Sequence, residues 1–314
     1  MSPMSRRTLL KAGAASAALA GSAAPAPKAD AAKADDVPDR WTLAMNASTI
    51  RPAPVEEKIK VTAEAGYDGL ELWLDDLDAW EKSGKAIEDL GARIRDAGLW
   101  VPNVIGIWGS MPPTEEEKDK KMDGFKRKMR RAHKVGAQSI AAIPVPCKPG
   151  WDVPWAAARY RELFDAGREI GIRVSLEFVG FIKTVHTLGQ AAAIILEADR
   201  PGARLVADTF HVYRGGSNFQ AVRYLAGRLF QDWHFNDAPR TPPRFEQGDE
   251  HRVYPGDGIL PLPQLLRDLW AGGFHGPLSL ELFMREEWKR PPAEVAKRGM
   301  EKMKQVIAEA GVGA

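Results

Sequence analysis

Residues 173–178 read Arg-Val-Ser-Leu-Glu-Phe, a short and largely apolar run that predicts a buried strand. Thr187-Leu-Gly-Gln190 follows with the residue types of a helix start, so we expect a helix from there to about Ala198. A second apolar run, Arg204-Leu-Val-Ala-Asp-Thr209, predicts the next strand. A helix between two strands implies that the strands run parallel, so this segment predicts one unit of an α/β fold.

The same alternation occurs eight times in the chain. The other predicted strands are residues 41–46, 69–73, 99–106, 139–146, 229–237 and 278–283. The other predicted helices are residues 54–65, 86–97, 114–135, 155–170, 218–225, 262–270 and 293–310. Eight units in about 270 residues predict closure into a single (β/α)8 TIM barrel. An open doubly wound sheet is the alternative, but it usually carries a glycine-rich phosphate loop, and none follows the first strand here.

The first 31 residues have the composition of a signal peptide. Arg6 and Arg7 precede an apolar, alanine-rich run from Ala12 to Ala24, which is too short for a membrane span of about 20 apolar residues. The paired arginines resemble a twin-arginine export signal. We therefore expect a signal peptide at 1–31, a flexible leader at 32–40 and a barrel at 41–312, exported to the periplasm or beyond. A disordered basic tail is the alternative interpretation.

Charge and cysteine content exclude some classes of protein. The chain has 44 basic and 42 acidic residues; four basic and one acidic lie in residues 1–31, which leaves 40 and 41 for the rest. This near-neutral body gives no electrostatic reason to bind nucleic acid. Cys147 is the only cysteine, so no intramolecular disulfide can form and the core must supply the stability.

Four charged residues lie near the carboxyl ends of four consecutive predicted strands: Glu177, Asp208, His234 and Glu281. In a TIM barrel these ends form the active-site face. Three buried carboxylates would repel one another and raise one another's pKa values, and a divalent cation would remove that cost. Oxygen ligands with one imidazole suit manganese first, with magnesium, cobalt and zinc as alternatives.

Other polar and aromatic residues near strand ends are candidates for binding substrate. His211 follows Asp208, and Glu71 and Trp73 end the second strand. We add Trp108, Lys148 and Asp237, the last of which either orients His234 or caps the following loop. The aromatic rings could stack on the C–H faces of a sugar, although each could equally belong to the core. Glu71 alone could be a helix cap or part of a surface ion pair.

The sequence resembles the xylose-isomerase-like barrels, often called sugar phosphate isomerases/epimerases. That group includes ketose 3-epimerases, hydroxypyruvate isomerases and inosose dehydratases, and is related to apurinic endonucleases. The resemblance covers about residues 41–312. The segments that carry it are Ser175-Leu-Glu-Phe178, Ala207-Asp-Thr-Phe-His211, Trp233-His-Phe-Asn-Asp237, Arg252-Val-Tyr-Pro-Gly-Asp-Gly258 and Ser279-Leu-Glu-Leu282.

The resemblance implies roles for individual residues. It makes Glu177, Asp208, His234 and Glu281 the metal ligands, and gives the two glutamates a second role in moving protons. His211 then corresponds to a histidine that contacts substrate near the metal, and Arg252 to an arginine that reaches substrate oxygens. The sequence departs from the family in its loop 238–250, which is longer than usual and could reshape the pocket.

These residues predict a metal-dependent isomerase or epimerase acting on a keto-sugar or related polyol. A metal that binds a carbonyl and its neighbouring hydroxyl acidifies the adjacent C–H and stabilises the resulting enediolate. Glu177 and Glu281 are the candidate acid and base, unless both are ligands only. A lyase or dehydratase could use the same site, and a sugar- or metal-binding protein without catalysis is a third interpretation. An endonuclease of this group needs a three-metal cluster rich in histidine, and this chain has only six histidines.

Overall fold

The computed structural model describes residues 39–144 and 148–314. Eight parallel strands pair in sequence order and close into a barrel, as predicted. The predicted signal peptide, the leader up to residue 38 and Cys147 lie outside the described residues. The strands are β1 Leu43–Asn46, β2 Gly69–Trp73, β3 Val104–Trp108, β4 Ser139–Ile143, β5 Arg173–Glu177, β6 Leu205–Asp208, β7 Phe230–Phe235 and β8 Leu278–Leu280.

Nine α-helices among the described residues surround the strands. They are α1 Val55–Glu64, α2 Leu74–Lys82, α3 Ile87–Asp96, α4 Glu115–Lys134, α5 Val153–Ile170, α6 Leu188–Ala198, α7 Thr209–Arg214, α8 Leu262–Ala271 and α9 Pro292–Ala310. None of these helices is long and apolar enough to span a membrane. Two of them, α2 and α7, were not predicted, and the predicted helix at 218–225 is a 3₁₀ helix, Phe219–Tyr224.

Two predicted strand boundaries are wrong for identifiable reasons. The third strand begins at Val104 rather than residue 99, because Pro102 has no N–H to give to a ladder. Residues Trp100 and Val101 form only single bridges to their neighbours. The eighth strand ends at Leu280, where the Thr49 hydroxyl donates to the Leu280 carbonyl and accepts from the Leu282 N–H. Glu281 therefore lies just beyond its strand.

The barrel interior differs from the layer between strands and helices. Alternate residues of β3 to β6 point inward. Four buried apolar side chains on these strands and one just after β5 form a small cluster separate from the main core: Ile105, Ala141, Ile143, Val206 and Val179. The interior of β7, β8, β1 and β2 is polar instead, with Asp232, His234, Ser279, Asn46 and Glu71 all fully buried. The interior of β3 to β6 is thus mainly aliphatic, apart from the bonded pair Ser139 and Ser175 and the strand-end residues Glu177 and Asp208, whereas the other four strands contribute mainly polar groups.

Candidate metal centre

The four predicted ligands converge on one point at the carboxyl ends of β5 to β8. The Nδ1 atom of His234 lies 3.0 Å from Glu281 Oε2, 3.5 Å from Glu177 Oε1 and 3.6 Å from Asp208 Oδ2. All four side chains are buried. Residues that are up to 104 positions apart in sequence therefore present their polar atoms to a single small volume.

The donor set fits a divalent cation. Asp208, His234 and Glu281 each offer an atom within 4.8 Å of the others. His234 Nδ1 and Glu177 Oε2 are buried, and among the described residues neither has a hydrogen-bond partner. Buried polar atoms are rarely left so, and a bound ion would satisfy both. Carboxylate oxygens with one imidazole suit a hard or borderline metal.

The ionisable groups perturb one another strongly. Burial and the neighbouring carboxylates of Glu281, Glu71 and Asp208 raise the pKa of Glu177 well above its usual range. Burial also disfavours the charged form of Asp208, but the Arg252 guanidinium outweighs it and holds that pKa well below the usual range. Burial lowers the pKa of His211 to about 4, so its imidazole is neutral at pH 7. The centre thus contains one carboxyl that readily holds a proton and one that does not.

Glu71 lies behind His234 and fixes its orientation. The His234 Nε2–H donates to Glu71 Oε1 over 3.0 Å, which leaves Nδ1 facing the other ligands. Asn46 Nδ2, Asn103 Nδ2 and Ser279 Oγ also donate to the Glu71 carboxylate, over 2.8, 2.8 and 2.7 Å. We predicted a substrate contact for Glu71, but these bonds instead form the carboxylate–histidine arrangement that supports metal ligands.

Replacing Glu71 by glutamine should therefore weaken metal binding by about 10–100-fold, because the imidazole loses its anionic partner. Titration of the metal-free protein with Mn²⁺ would measure the change. Asp68→Asn is the matched control, since Asp68 precedes the opposite end of β2 and pairs with Arg40. Equal affinities for the Glu71 variant and wild type would show that Glu71 does not support the ligand.

Arg252 and His211 lie on the opposite side of the centre. Arg252 is only 1% exposed, and its Nη1 donates to Asp208 Oδ2 over 2.8 Å and to Glu281 Oε2. Its Nη2 contacts Asp249 Oδ1 and lies 3.2 Å from His211 Nε2. Arg252 and His211 therefore lie beside the proposed ligands, while their contact with substrate stays a prediction. The contact between Arg252 and Asp249 shows that the long loop 238–250 reaches this centre.

The four remaining residues that we predicted to contact substrate lie in different surroundings. The Asp237 carboxylate accepts from the backbone N–H groups of residues 238, 256, 258 and 260, so it caps the loop rather than orienting His234. Trp73 donates its indole N–H to Asn46 Oδ1 and has the Arg51 guanidinium over its ring. Trp108 is 47% exposed at the end of β3. Lys148 Nζ lies 5.0 Å from the centre of the Trp155 ring.

Several residues of the site were not predicted. Asn236 Nδ2 donates to Asp208 Oδ2 over 3.2 Å, while its Oδ1 accepts from the Phe210 N–H and ties β7 to α7. Asp232 lies two residues before His234 on the same face of β7, and burial raises its pKa well above the usual range. The sequence signal that could have identified Asn236 and Asp232 was the presence of a polar residue inside an otherwise apolar strand.

A closed parallel barrel with this cluster of carboxylates and one histidine at the carboxyl ends of its strands defines a TIM barrel with a candidate metal centre. Residues 59–306 match the family model of the xylose isomerase-like TIM barrel, and the chain belongs to that family.

Three similar proteins indicate the range of the family. An inosose isomerase of Bacillus velezensis is 27% identical over 270 residues, which cover 84% of this chain and 95% of that enzyme. A 3-dehydroshikimate dehydratase of Pseudomonas putida is 24% identical over 229 residues, which cover 72% of this chain but 36% of that enzyme. The crystal structure of an IOLI protein with a bound zinc atom superposes with a TM-score of 0.79 at 24% identity, over 86% of this chain and 99% of that one.

Proposed function

We propose that this protein is a divalent-metal-dependent isomerase or epimerase acting on a keto-sugar or related polyol. The observation that carries the proposal is the placement of Glu177 and Glu281 on β5 and just after β8, each within 3.5 Å of the same His234 nitrogen. Two carboxylates on either side of a bound substrate can remove a proton from one face and return it to the other. The name of the inosose isomerase relative indicates a reaction of the same class.

The residues of the chain have separable roles in this mechanism. A bound divalent cation would supply Lewis acidity to a substrate carbonyl and so acidify the adjacent C–H. Glu177, whose pKa is raised above its usual range by burial, would hold the proton that it exchanges with the substrate, as an acid–base group must. The neutral His211 and the charged Arg252 orient substrate oxygens from the opposite side. The buried aliphatic side of the interior helps to exclude water.

We propose one divalent ion per chain, with manganese preferred and magnesium, cobalt and zinc as alternatives. Metal analysis of purified protein should find about one equivalent in the wild type and little in Asp208→Ala. Because the loss of one carboxylate also relieves repulsion among those that remain, the metal-free variant should still fold. A wild type that stays empty after incubation with all four metals would end the metal-dependent mechanism.

A lyase is the second candidate, and the dehydratase relative favours it. Removal of the same proton followed by loss of a β-hydroxyl or glycosyl group would use the same carboxylates. The deciding experiment is a screen of metal-loaded protein against keto-sugars, inososes and 3-keto-glycosides in D₂O, followed by NMR. Deuterium in an epimeric or isomeric product supports the isomerase, and an unsaturated product supports the lyase. Binding of these compounds without exchange or turnover would instead indicate a non-catalytic sugar-binding barrel.

We further propose that the protein is exported through the twin-arginine pathway, on the strength of Arg6, Arg7 and the following apolar run. Arg6→Lys combined with Arg7→Lys should leave the protein in the cytoplasm. Fractionation of the producing cells would measure this, and undiminished export of the double variant would rule out the twin-arginine pathway. An extracytoplasmic location would favour a sugar without phosphate as the substrate, and no nucleic-acid partner is expected.

A further inference from the structure

The Arg252 guanidinium contacts the very oxygens that converge on His234. Its Nη1 donates to Asp208 Oδ2 and Glu281 Oε2, which are the carboxylate oxygens 3.6 Å and 3.0 Å from His234 Nδ1. Because the His211 N–H already donates to Asp208 Oδ1, Asp208 would offer its Oδ2 to a divalent ion, and Glu281 would offer the oxygen that lies beside His234. The guanidinium and the ion therefore compete for two of the proposed ligand oxygens.

The surroundings of Arg252 allow it to give up these oxygens without becoming an unpaired buried charge. Its Nη2 is held by Asp249 from the 3₁₀ turn Asp249–His251 and lies beside neutral His211. The rings of Phe210 and Phe283 lie 5.3 and 5.1 Å from its guanidinium carbon, which adds cation–π contacts. These partners do not include the ligand oxygens, so they remain when a metal is bound.

We infer that Arg252 is an internal counter-ion whose release couples metal binding to substrate binding. In the metal-free protein its positive charge neutralises Asp208 and Glu281 and keeps both in place. Metal binding takes over these oxygens and leaves Nη1 free to donate to a substrate oxygen, while Asp249 retains Nη2. This inference rests on the metal-dependent part of the proposed function, and it predicts that the metal binds before the substrate.

Metal affinity of Arg252 variants tests the competition. Arg252→Met removes the charge and the hydrogen bonds but keeps an unbranched side chain, so Mn²⁺ should bind at least about tenfold more tightly, because the competing charge is gone. Arg252→Lys keeps the charge but cannot hold both oxygens in the same planar geometry, so its affinity should lie between those of wild type and the methionine variant. Arg298→Met, which removes a cation paired with Glu287, is the matched control and should leave the affinity unchanged.

A second measurement uses the wild-type protein and does not depend on the variants folding. With ¹⁵N-arginine labelling, the Arg252 side-chain signal, assigned by its loss in Arg252→Lys, should change when diamagnetic Zn²⁺ is added at one equivalent. An unchanged signal on metal binding, or a methionine variant that binds Mn²⁺ no more tightly than wild type, would overturn the coupling but leave the metal site intact. A wild type that binds neither ion would refute both the site and the coupling.

Discussion

Glu177→Gln and Glu281→Gln should each lose most of the turnover, by roughly 10²–10⁴-fold if acid–base catalysis has its usual value. Glutamine keeps the size of the side chain and one oxygen ligand but cannot accept a proton. Metal content should fall less than in Asp208→Ala, because the carbonyl oxygen of the amide still faces the centre. Turnover and metal content of the same preparations would separate the loss of catalysis from the loss of metal.

The two glutamine variants should differ in deuterium exchange. The variant that lacks the carboxylate facing the substrate proton should show no wash-in from D₂O, whereas the other should still exchange that proton without net conversion. Glu250→Gln is the control, because Glu250 is an exposed carboxylate on the loop beside the site. If both variants turn over like wild type with metal bound, the glutamates are ligands only, and His211 becomes the next candidate base.

Gly215→Ala should lower the free energy of unfolding by about 3 kcal/mol and shift the midpoint of thermal unfolding down by about 6–12 °C. A methyl group at Gly215 would overlap the carbonyl oxygen of His186 and lie 3.0 Å from the carbonyl oxygen of His211. Both neighbours are backbone atoms, so a rotamer change cannot relieve the overlap. Because Gly215 caps the carboxyl end of α7, the displaced helix would also move His211, the proposed substrate contact.

We expect the opposite effect on stability for Gly189→Ala. Gly189 lies in α6 with no atom within 4 Å of an added methyl group. Alanine has the higher helix propensity, so this variant should be more stable by about 0.5–1 kcal/mol. Thermal unfolding followed by circular dichroism would compare the two glycine variants, and equal stabilities would show that the close approach at Gly215 is not required.

The barrel and the convergence of the four proposed ligands could be predicted because both follow from strand order, while the role of these residues as ligands stays a prediction. Once eight strands alternate with helices, parallel pairing places every strand's carboxyl end on one face, and the acidic ends of β5 and β6 must be neighbours. His234 and Glu281 follow for the same reason. Helix α7 was missed because its first residues, Thr209 and Phe210, favour strands, and the Asp208 carboxylate overrides this preference by capping the His211 N–H.

The role of Glu71 could not be predicted, because it depends on distances across the barrel. Its partners Asn46 and Ser279 lie on β1 and β8, Asn103 directly precedes β3, and no local pattern brings the three together. The same holds for Arg252, whose contact with Asp208 depends on the path of the long loop after β7. The family resemblance implied that Arg252 lies near the substrate, but only the structure shows its hydrogen bond to the proposed ligand carboxylates.

The four ligands lie on or next to strands, whereas Arg252 and Phe181, whose ring packs on His211, lie on the loops that follow. In the proposed mechanism the proton-transferring carboxylates therefore lie on or next to strands, whereas Arg252 reaches the substrate from a loop. If these proposed roles hold, exchanges within residues 238–250 should change substrate preference more than they change proton transfer.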